Sequence, residues 1–514
     1  MSCLLAVAAC PGDAGAAGHT EISVCSADQN VPEAVATRLD AMLAMMVGAE
    51  AETATTFGYA PGSELYVNAP DWTYHRSTGI ADVEMDTQLE CGRPFQIGSN
   101  TKMMAAAVLM MMVEEQQMSL DDPLSAYFPA IAAALPYGDK ITIRQLANHT
   151  SGVFSYTDNA PNGAPGLMEG ALNNQHLLSL GYSPDDLIRF VIENGEPSFE
   201  PGTRGAWAYS NTGYILIGMI LEKIAGMPLG EIFEKRIFAP LGMNDSFLWN
   251  DTPRTDFGLP KSYYERPFKI DVSAWNMSQG WAAGGVISTA DDMDLFIRGL
   301  LSGRLFSDPK MLALMMETVP AGAGFAGYGI GIGSRSGGFW GHGGQTLGFE
   351  SDIGLFHEQD ISLVVWANSG NNLAGLGSTI ALGALGEANA LTTQEDSAQS
   401  LAATKWIWVS SKDAKGEESL AIAEPQRYGV FFEDSGDLAL QADCNSVLGS
   451  FAAHGEDLSI ELGPSTKALC TPGSLHDKFV QDLQKAIRFR RDGESLHIFL
   501  GQDGGSMEFS HNAE

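Results

Sequence analysis

The sequence predicts an α+β protein, with an antiparallel sheet flanked by helices and a helical subdomain, followed by a small β-rich domain. Strand-like segments at residues 64–78 and 350–367 lie on either side of a long helix-rich stretch, so both ends of the large domain are expected in one sheet. After residue 402, short strand-like segments dominate. A chain of 514 residues also exceeds what one hydrophobic core usually supports, which predicts several domains.

The individual elements follow from hydrophobic periodicity and turn residues. In the large domain, strands are predicted at residues 64–67, 72–78, 350–356 and 361–367, and helices at 99–117, 184–194, 212–225, 229–237 and 290–301. In the small domain, strands are predicted at residues 405–410, 428–432, 438–442, 458–462, 487–491 and 496–500, with one amphipathic helix near 475–485.

Two changes in composition divide the chain. Residues 11–30 are rich in Gly, Ala, Asp and Ser and have no periodicity, which is typical of a tether. Residues 390–402 form a second linker-like segment. We therefore predict a signal and tether at residues 1–30, a large domain at 31–390 and a small domain at 402–514.

The N-terminal stretch ends in Val-Ala-Ala-Cys at residues 7–10, which is similar to the lipobox of bacterial lipoproteins. In such proteins, signal cleavage exposes a cysteine that is then lipidated, so Cys10 is a candidate for membrane anchoring. However, no Lys or Arg precedes this stretch and it is short for a signal. The alternative is an unstructured N-terminus on a chain that is not exported. We expect a periplasmic or cell-envelope protein.

Charge and missing motifs exclude several classes of function. The 29 Lys and Arg residues against 63 Asp and Glu give a formal charge of −34, which repels phosphate backbones, so nucleic acid is not expected as a partner. No apolar run is long enough to span a bilayer. The sequence contains no P-loop, no dinucleotide glycine motif, no His-Glu-x-x-His and no zinc-like Cys/His spacing, so we expect no cofactor and no metal.

The cysteines beyond residue 10 are Cys25, Cys91, Cys444 and Cys470, and four cysteines allow three pairings. We favour a Cys444–Cys470 disulfide because both residues belong to one small C-terminal segment. An oxidising compartment would suit disulfides. The alternative is buried free thiols.

The first candidate catalytic motif is Ser99-Asn100-Thr101-Lys102. A glycine precedes it and a strongly helical run follows, so Ser99 is expected at a helix N-terminus with Lys102 on the same face. The free N–H groups at that terminus suit an oxyanion. Desolvation beside the apolar run at residues 103–113 would lower the pKa of Lys102 and let it accept the Ser99 proton. The structural alternative is a helix cap followed by a solvated lysine.

The second candidate motif is Tyr209-Ser210-Asn211, directly before an apolar helix. Residues two apart on an extended backbone point the same way, and a tyrosine near a lysine can act as a general acid or base. The structural alternative is that Asn211 caps the helix and Tyr209 packs in the core.

The third candidate motif is Gly341-His342-Gly343-Gly344-Gln345, before the predicted hairpin. Glycines on an edge strand let a substrate backbone approach closely, and His342 could supply a cation or a hydrogen-bond donor. The structural alternative is a histidine in a loop.

The order and spacing of these three motifs resemble those of the serine β-lactamase/penicillin-binding-protein superfamily, in its class C β-lactamase and DD-carboxypeptidase branch. The resemblance extends over roughly residues 31–385. It is also carried by the segments at residues 143–152, 199–202, 209–214, 240–243 and 283–289. It implies a β-lactamase-like fold and a serine acyl hydrolase that works through an acyl-enzyme.

The resemblance also implies roles for the motif residues. Ser99 would be the acylated nucleophile and Lys102 the base that activates it. Tyr209 would pass protons to the leaving group and then activate the deacylating water. His149 also matches a family position, and we interpret it as structural.

The remaining motif residues are expected to bind substrate or assist it. Asn211 would hydrogen-bond the acyl side chain or Lys102, and His342 would assist Tyr209 electrostatically. The backbone N–H groups of Ser99 and Gln345 would form the oxyanion hole. Gly343 and Gly344 would bind substrate on the strand that carries residues 341–345, called the substrate strand below.

One departure from the family pattern bears on the substrate. β-Lactamases of this branch usually carry Lys-Thr-Gly or Lys-Ser-Gly where this chain has His342-Gly343-Gly344, so the cation and hydroxyl that hold a carboxylate are missing. The resemblance therefore favours a DD-carboxypeptidase or D-amino-acid peptidase acting on a small peptide. The alternatives are a short-chain esterase, a class C-like β-lactamase, and a non-catalytic envelope binding protein that keeps the fold.

The C-terminal segment resembles a META-type domain, a small β-rich module of bacterial envelope proteins. The resemblance rests on residues 404–409, 443–445 and 466–470 and on the helix-then-strand ending. It implies no catalytic residue in this domain.

Overall fold

The chain divides into two compact units, Met1–Ala388 and Asn389–Glu514. A computed structural model describes residues 22–47, 60–249, 258–264, 270–322, 324–335, 338–357, 359–370, 401, 404–413, 418–433, 436–454, 457–465, 470, 473–492, 495–501 and 505–511. The lipobox-like segment with Cys10, most of the tether and most of the predicted linker lie outside the described residues.

The first unit alternates short strands with helices. Its strands are β1 (Ile22–Val24), β2 (Gly62–Asn68), β3 (Thr73–Asp82), β4 (Thr87–Gln88), β5 (Phe95–Gln96), β6 (Phe247–Leu248), β7 (Tyr263–Tyr264), β8 (Ile270–Asp271), β9 (Val286–Ser288), β10 (Val319–Pro320), β11 (Gly327–Tyr328), β12 (Gly333–Arg335), β13 (Phe339–Gln345), β14 (Glu350–Phe356) and β15 (Ile361–Ala367). Its α-helices are α1 (Glu33–Met46), α2 (Thr101–Glu114), α3 (Leu124–Tyr127), α4 (Pro129–Ala134), α5 (Ile143–Ala147), α6 (Leu167–Asn173), α7 (Pro184–Asn194), α8 (Asn211–Ala225), α9 (Leu229–Phe233), α10 (Ala239–Leu241), α11 (Trp281–Gly284), α12 (Ala290–Leu301) and α13 (Pro309–Met315).

The main sheet joins both ends of this unit, as the sequence predicts. Its strand order in the described residues is β1-β3-β2-β15-β14-β13-β12-β11-β10, and neighbouring strands are antiparallel. The central pairing brings Leu65 of β2 opposite Val365 of β15. The prediction of an α+β fold with an antiparallel sheet assembled from both termini is therefore confirmed.

The tether prediction is wrong from residue 22 onward. Ile22–Val24 pair with β3, and a disulfide joins Cys25, the next residue, to Cys91. Helix α1 follows, with Leu39 and Leu43 fully buried. A three-residue strand has too little periodicity to be seen among small and polar residues, and the disulfide partner is distant in sequence.

Helix α2 is the central helix of the first unit. Its Met, Ala, Val and Leu side chains have no polar face, and Thr101 to Met112 are all buried. A helix that is apolar on all sides must be enclosed by other elements, so α8 and the main sheet surround it. A 3₁₀ turn at Gly98–Asn100 replaces the first turn of the helix that the sequence predicts at residues 99–117.

One further segment departs slightly from its predicted helix. The predicted helix at residues 229–237 is α9 followed by a π-helical turn at Glu234–Phe238. Short 3₁₀ helices at Gly138–Lys140, Gln175–Leu177 and Met277–Gln279 connect other elements. The predicted helices at residues 184–194 and 290–301 coincide with α7 and α12.

The second unit is a β-rich module. Its strands are β16 (Thr404–Lys412), β17 (Glu418–Ala421), β18 (Tyr428–Phe432), β19 (Asp437–Ala442), β20 (Asn445–His454), β21 (Asp457–Ser465), β22 (Ala486–Asp492), β23 (Ser495–Leu500) and β24 (Ser506–Ser510), with a 3₁₀ helix at Pro425–Arg427 and α14 at His476–Leu483. Strand β16 also pairs with β24, so this sheet closes on itself around Trp406, Trp408 and Phe479. The Cys444–Cys470 disulfide is present, as predicted.

The described part of the chain contains no helix that is both long enough and apolar enough to cross a membrane.

Candidate active site

Ser99 lies in the 3₁₀ turn that leads into α2. Gly98 adopts φ +53°, a left-handed conformation that glycine tolerates best. The buried Asn100 amide donates hydrogen bonds to Ile97 O and to Ser351 Oγ. The turn is therefore held from the sheet side, and Ser99 is presented at a helix N-terminus as the sequence predicts.

Lys102 is fully buried one turn after Ser99. Its Nζ lies 2.9 Å from Ser99 Oγ, 2.7 Å from Asn211 Oδ1 and 2.6 Å from Ala283 O. Asn211 is oriented by Thr157, whose Oγ1 accepts a hydrogen bond from Asn211 Nδ2 at 2.9 Å. The structure thus brings three of the predicted site residues together around one amine.

Burial holds the pKa of Lys102 well below its ordinary value of 10.5. A neutral amine has two N–H groups and one lone pair. Asn211 Oδ1 and Ala283 O can only accept hydrogen bonds, so they take the two N–H groups. The lone pair is then left for the hydroxyl hydrogen of Ser99, which is the arrangement that a proton acceptor needs.

Tyr209 lies beside this pair, two residues before the start of α8 and next to Ser210, whose backbone is extended. Lys102 Nζ is 4.9 Å from the centre of the Tyr209 ring. Burial raises the pKa of Tyr209, and the nearby Ser99 hydroxyl partly opposes the rise. The Tyr209 hydroxyl is buried and has no hydrogen bond of normal geometry within the described residues. A neutral phenol beside the serine is thus available to a reacting group.

The His149 ring packs against the Tyr209 ring. Its ring centre lies 4.3 Å from that of Tyr209 and 4.8 Å from that of Tyr328. The backbone N–H of Ser210 donates to His149 Nδ1 at 3.2 Å, and burial lowers the pKa of the imidazole well below 6.5. His149 is therefore a neutral, fully enclosed packing residue, in keeping with its interpretation as structural.

His342 reaches the same cluster, but it is bonded to Tyr328 rather than to Tyr209. Its Nδ1 contacts Gly343 O, which can only accept, so the neutral ring must accept at Nε2, where Tyr328 Oη lies 2.9 Å away. Burial, followed by repulsion from Lys102, lowers the pKa of His342 to about 3. The imidazole is uncharged near pH 7, so it supplies no cation there.

The substrate-strand residues lie against the Ser99 turn. A Cβ atom added at Gly98 would lie 2.7 Å from Gln345 N, and one added at Gly344 would lie 2.0 Å from Ile97 O. β12 pairs with β13 only as far as Gly341, so within the described strands the segment from His342 to Gln345 has an open edge on that side. The edge-strand prediction therefore applies to this half of β13, although β13 as a whole is an interior strand.

Three site residues were not predicted to belong to the site: Thr157 and Tyr328, which lie in none of the segments singled out from the sequence, and Ala283, whose segment at residues 283–289 carried only the family resemblance. Each contacts a motif residue across more than ten positions of sequence. Next to Thr157, Ser155 Oγ accepts the Asn211 N–H at 3.2 Å. Within the described residues, no group of three or more His, Cys, Asp or Glu side chains is placed to hold a metal ion.

Comparison with known families agrees with this geometry. The family model described as Beta-lactamase matches residues 52–385, which is well over half of the chain. This chain belongs to the beta-lactamase family. The model described as META domain matches residues 399–514. The two resemblances inferred from the sequence are therefore confirmed, and this family member has the fold of the serine β-lactamases and penicillin-binding proteins.

Curated relatives match this beta-lactamase family member over part of their length. Penicillin-binding protein 4* of Bacillus subtilis is 29% identical over 189 residues, which cover 37% of this chain and 38% of that protein. The putative penicillin-binding protein PbpX of B. subtilis is 24% identical, covering 62% of this chain and 72% of that protein. Esterase EstB of Burkholderia gladioli is 27% identical, covering 34% and 43%. The chain thus spans 38% of the first relative's length and 72% of the second's.

Two solved structures are matched over nearly their whole length. A D-stereospecific amidohydrolase from Streptomyces sp. is 31% identical with a TM-score of 0.54, covering 63% of this chain and 93% of that chain. A D-amino acid amidase from Ochrobactrum anthropi SV3, complexed with D-phenylalanine, is 25% identical with a TM-score of 0.58, covering 69% and 98%.

Proposed function

We propose that this protein is a serine hydrolase that cleaves small D-amino-acid peptides or amides through an acyl-enzyme on Ser99, in the manner of a DD-carboxypeptidase. The observation that carries the proposal is the set of three partners around Lys102 Nζ, which leaves the amine lone pair directed at Ser99 Oγ. A charged ammonium could donate to all three oxygens, but the lowered pKa of Lys102 favours the neutral amine, whose two N–H groups are accepted by Asn211 Oδ1 and Ala283 O.

Acylation follows from these contacts. Ser99 Oγ attacks the substrate carbonyl carbon while its proton passes to Lys102 Nζ. The oxygen that becomes negative faces the backbone N–H groups of Ser99 and Gln345, at the N-terminal end of α2. The buried site strengthens both interactions because little water competes with them.

Tyr209 serves the second proton transfer. Its raised pKa keeps the phenol protonated, so it can donate to the leaving group and be reprotonated by Lys102, whose Nζ lies over its ring. In deacylation the same pair would draw a proton from the attacking water. His342, being neutral, would act through its hydrogen bonds to Tyr328 and Gly343 by holding the substrate strand, not by adding positive charge.

Two features favour D-amino-acid substrates. The missing hydroxyl at Gly343 and the uncharged His342 weaken a site for the carboxylate of a β-lactam. The matched solved structures also include a D-stereospecific amidohydrolase and a D-amino acid amidase. An esterase is the second candidate, since EstB is among the relatives. A class C-like β-lactamase and a non-catalytic envelope binding protein are the other outcomes that the test distinguishes.

The test compares wild type, Ser99→Ala and Ser125→Ala on a D-Ala-D-Ala peptide, a D-amino acid amide, a short p-nitrophenyl ester and a β-lactam. In wild type and Ser125→Ala we expect turnover and an acyl adduct on the Ser99 peptide, detected by mass spectrometry. In Ser99→Ala we expect neither turnover nor an adduct. Ser125 is a matched serine on α3, outside the site. Full turnover by Ser99→Ala would show that the nucleophile is another residue. No turnover by wild type would support the binding-protein alternative.

The pH dependence should identify the titrating base. Because burial lowers the pKa of Lys102, acylation should rise with pH as the ammonium loses its proton and then level off. His342, with a pKa of about 3, should already be neutral at pH 5. We therefore expect His342→Gln to lower kcat/KM without moving the ascending limb measured between about pH 5 and 9. If the ascending limb of the pH profile vanishes in His342→Gln, the titrating group is His342 instead.

We also propose that the protein is exported to the cell envelope. The two disulfides support this, because such bonds form and persist mainly in oxidising compartments. Fractionation of the native host tests it, and recovery in the cytosolic fraction with free thiols at Cys25 and Cys91 would contradict it.

A further inference from the structure

The third partner of Lys102, the Ala283 carbonyl, belongs to a strained turn. Helix α11 has four residues and begins at Trp281, which adopts φ +35°. A bulky side chain is rarely found at positive φ, because Cβ crowds the following backbone. Such strain persists only where surrounding contacts hold it, and it is concentrated at functional sites.

The contact that holds Trp281 is with α8. A Cβ atom added at Gly218 would lie 2.7 Å from Trp281 Cζ3 and 2.5 Å from Ala282 Cβ. The indole therefore occupies the space that any side chain at residue 218 would need. The same helix begins at Asn211, whose Oδ1 is the other acceptor for Lys102. Helix α8 thus positions Asn211 Oδ1 directly. It also contacts Trp281, which begins the turn that carries the Ala283 carbonyl.

The turn transmits the conformation of Trp281 to Ala283. Ala283 N–H donates to Gly280 O and Gly285 N–H donates to Trp281 O, both at 2.7 Å. A Cβ atom at Gly285 would lie 2.7 Å from Trp281 N, so the turn is closed tightly on itself. With both ends tied, the direction of the Ala283 carbonyl depends on the backbone angles at Trp281.

We propose that Trp281, seated on Gly218, is a positioning residue that aims the Ala283 carbonyl at Lys102 Nζ and thereby directs the lysine lone pair at Ser99. The inference rests on the proposed function, since it concerns the base of that reaction. If the carbonyl turns away, one N–H group of the neutral amine loses its acceptor and the amine rotates. The lone pair then points at Ser99 for a smaller fraction of the time, while substrate binding is unchanged.

The experiment measures the acylation burst with a p-nitrophenyl ester in Trp281→Gly, Gly218→Ala and wild type. Glycine suits the positive φ and relieves the strain, but it removes the indole that sets the angle. Gly218→Ala disturbs the same contact from the other side. We expect both variants to lower the acylation rate by about tenfold to a hundredfold, while the substrate dissociation constant, taken from the concentration dependence of the burst rate, stays within about twofold of wild type.

The control is Gly230→Ala, another glycine in a helix, where an added Cβ would meet only Leu248 Cβ at 3.6 Å and Leu248 Cδ2 at 4.0 Å. This variant should acylate as wild type does. If Trp281→Gly acylates at the wild-type rate, or if Tm falls in both variants while the acylation rate does not, the inference is overturned and the proposed function stands. If wild type gives neither a burst nor turnover with any acyl donor, the proposed function fails and this inference fails with it.

Discussion

Replacing Lys102 by methionine is expected to lower the rate of Ser99 acylation by about 10²- to 10⁴-fold, the usual contribution of a positioned general base. Methionine has nearly the same length and suits the apolar surroundings of α2, so the fold should be retained. The variant leaves Asn211 Oδ1 and Ala283 O without their donor, which costs some stability. The measurement is the burst rate with a p-nitrophenyl ester, together with the Tm.

The matched control for this prediction is Lys235→Met, because Lys235 is an exposed lysine that forms a surface ion pair with Glu231. Its loss should leave the burst unchanged, since such pairs contribute little. The two variants also differ in their pH dependence. The ascending limb should persist in Lys235→Met and be absent from the residual activity of Lys102→Met. A Lys102→Met protein with the wild-type burst and limb would show that another group accepts the serine proton.

Replacing Gly98 by alanine is expected to lower kcat/KM by about 10²- to 10³-fold, the effect of losing one oxyanion donor. Residue 98 has φ +53°, and the added Cβ would lie 2.7 Å from Gln345 N and 3.0 Å from Gln345 O. Because those atoms are backbone, the clash can be relieved only by moving β13 away from the Ser99 turn. That movement separates the N–H groups of Ser99 and Gln345 that would hold the oxyanion.

Gly92→Ala separates this steric effect from the cost of a positive φ. Gly92 has φ +70°, and a Cβ there would meet nothing within 4 Å. Both variants should lose about 1 kcal/mol of unfolding free energy from the unfavourable backbone angle. Only Gly98→Ala should lose activity. Equal losses of kcat/KM in the two variants would mean that the close approach of β13 to the Ser99 turn is not needed for the reaction.

Local patterns predicted the elements that are long or strongly periodic. Strand pairs such as β14 and β15, and helices such as α7 and α12, have the predicted bounds. Among the strands that the sequence did not predict, some are short, as β1 is, and others lack clear alternation, as β20 does. These strands are stabilised by neighbouring strands of the sheet. Because those neighbours can be far away in sequence, a short stretch of sequence does not reveal them.

The candidate site shows the same division. The sequence by itself determined that Ser99 lies at the N-terminal end of a helical segment with Lys102 one turn later, and that Tyr209 and Asn211 lie at the start of a second helix, because these depend on residues within one or two turns. The lowered pKa of Lys102 was expected from the apolar run that follows it, whereas the tertiary structure alone showed that burial lowers the pKa of His342 as well. The tertiary structure also supplied Ala283, Thr157 and Tyr328 as partners. A hydrogen bond between residues that are far apart in sequence forms only in the packed fold, so local periodicity cannot predict it.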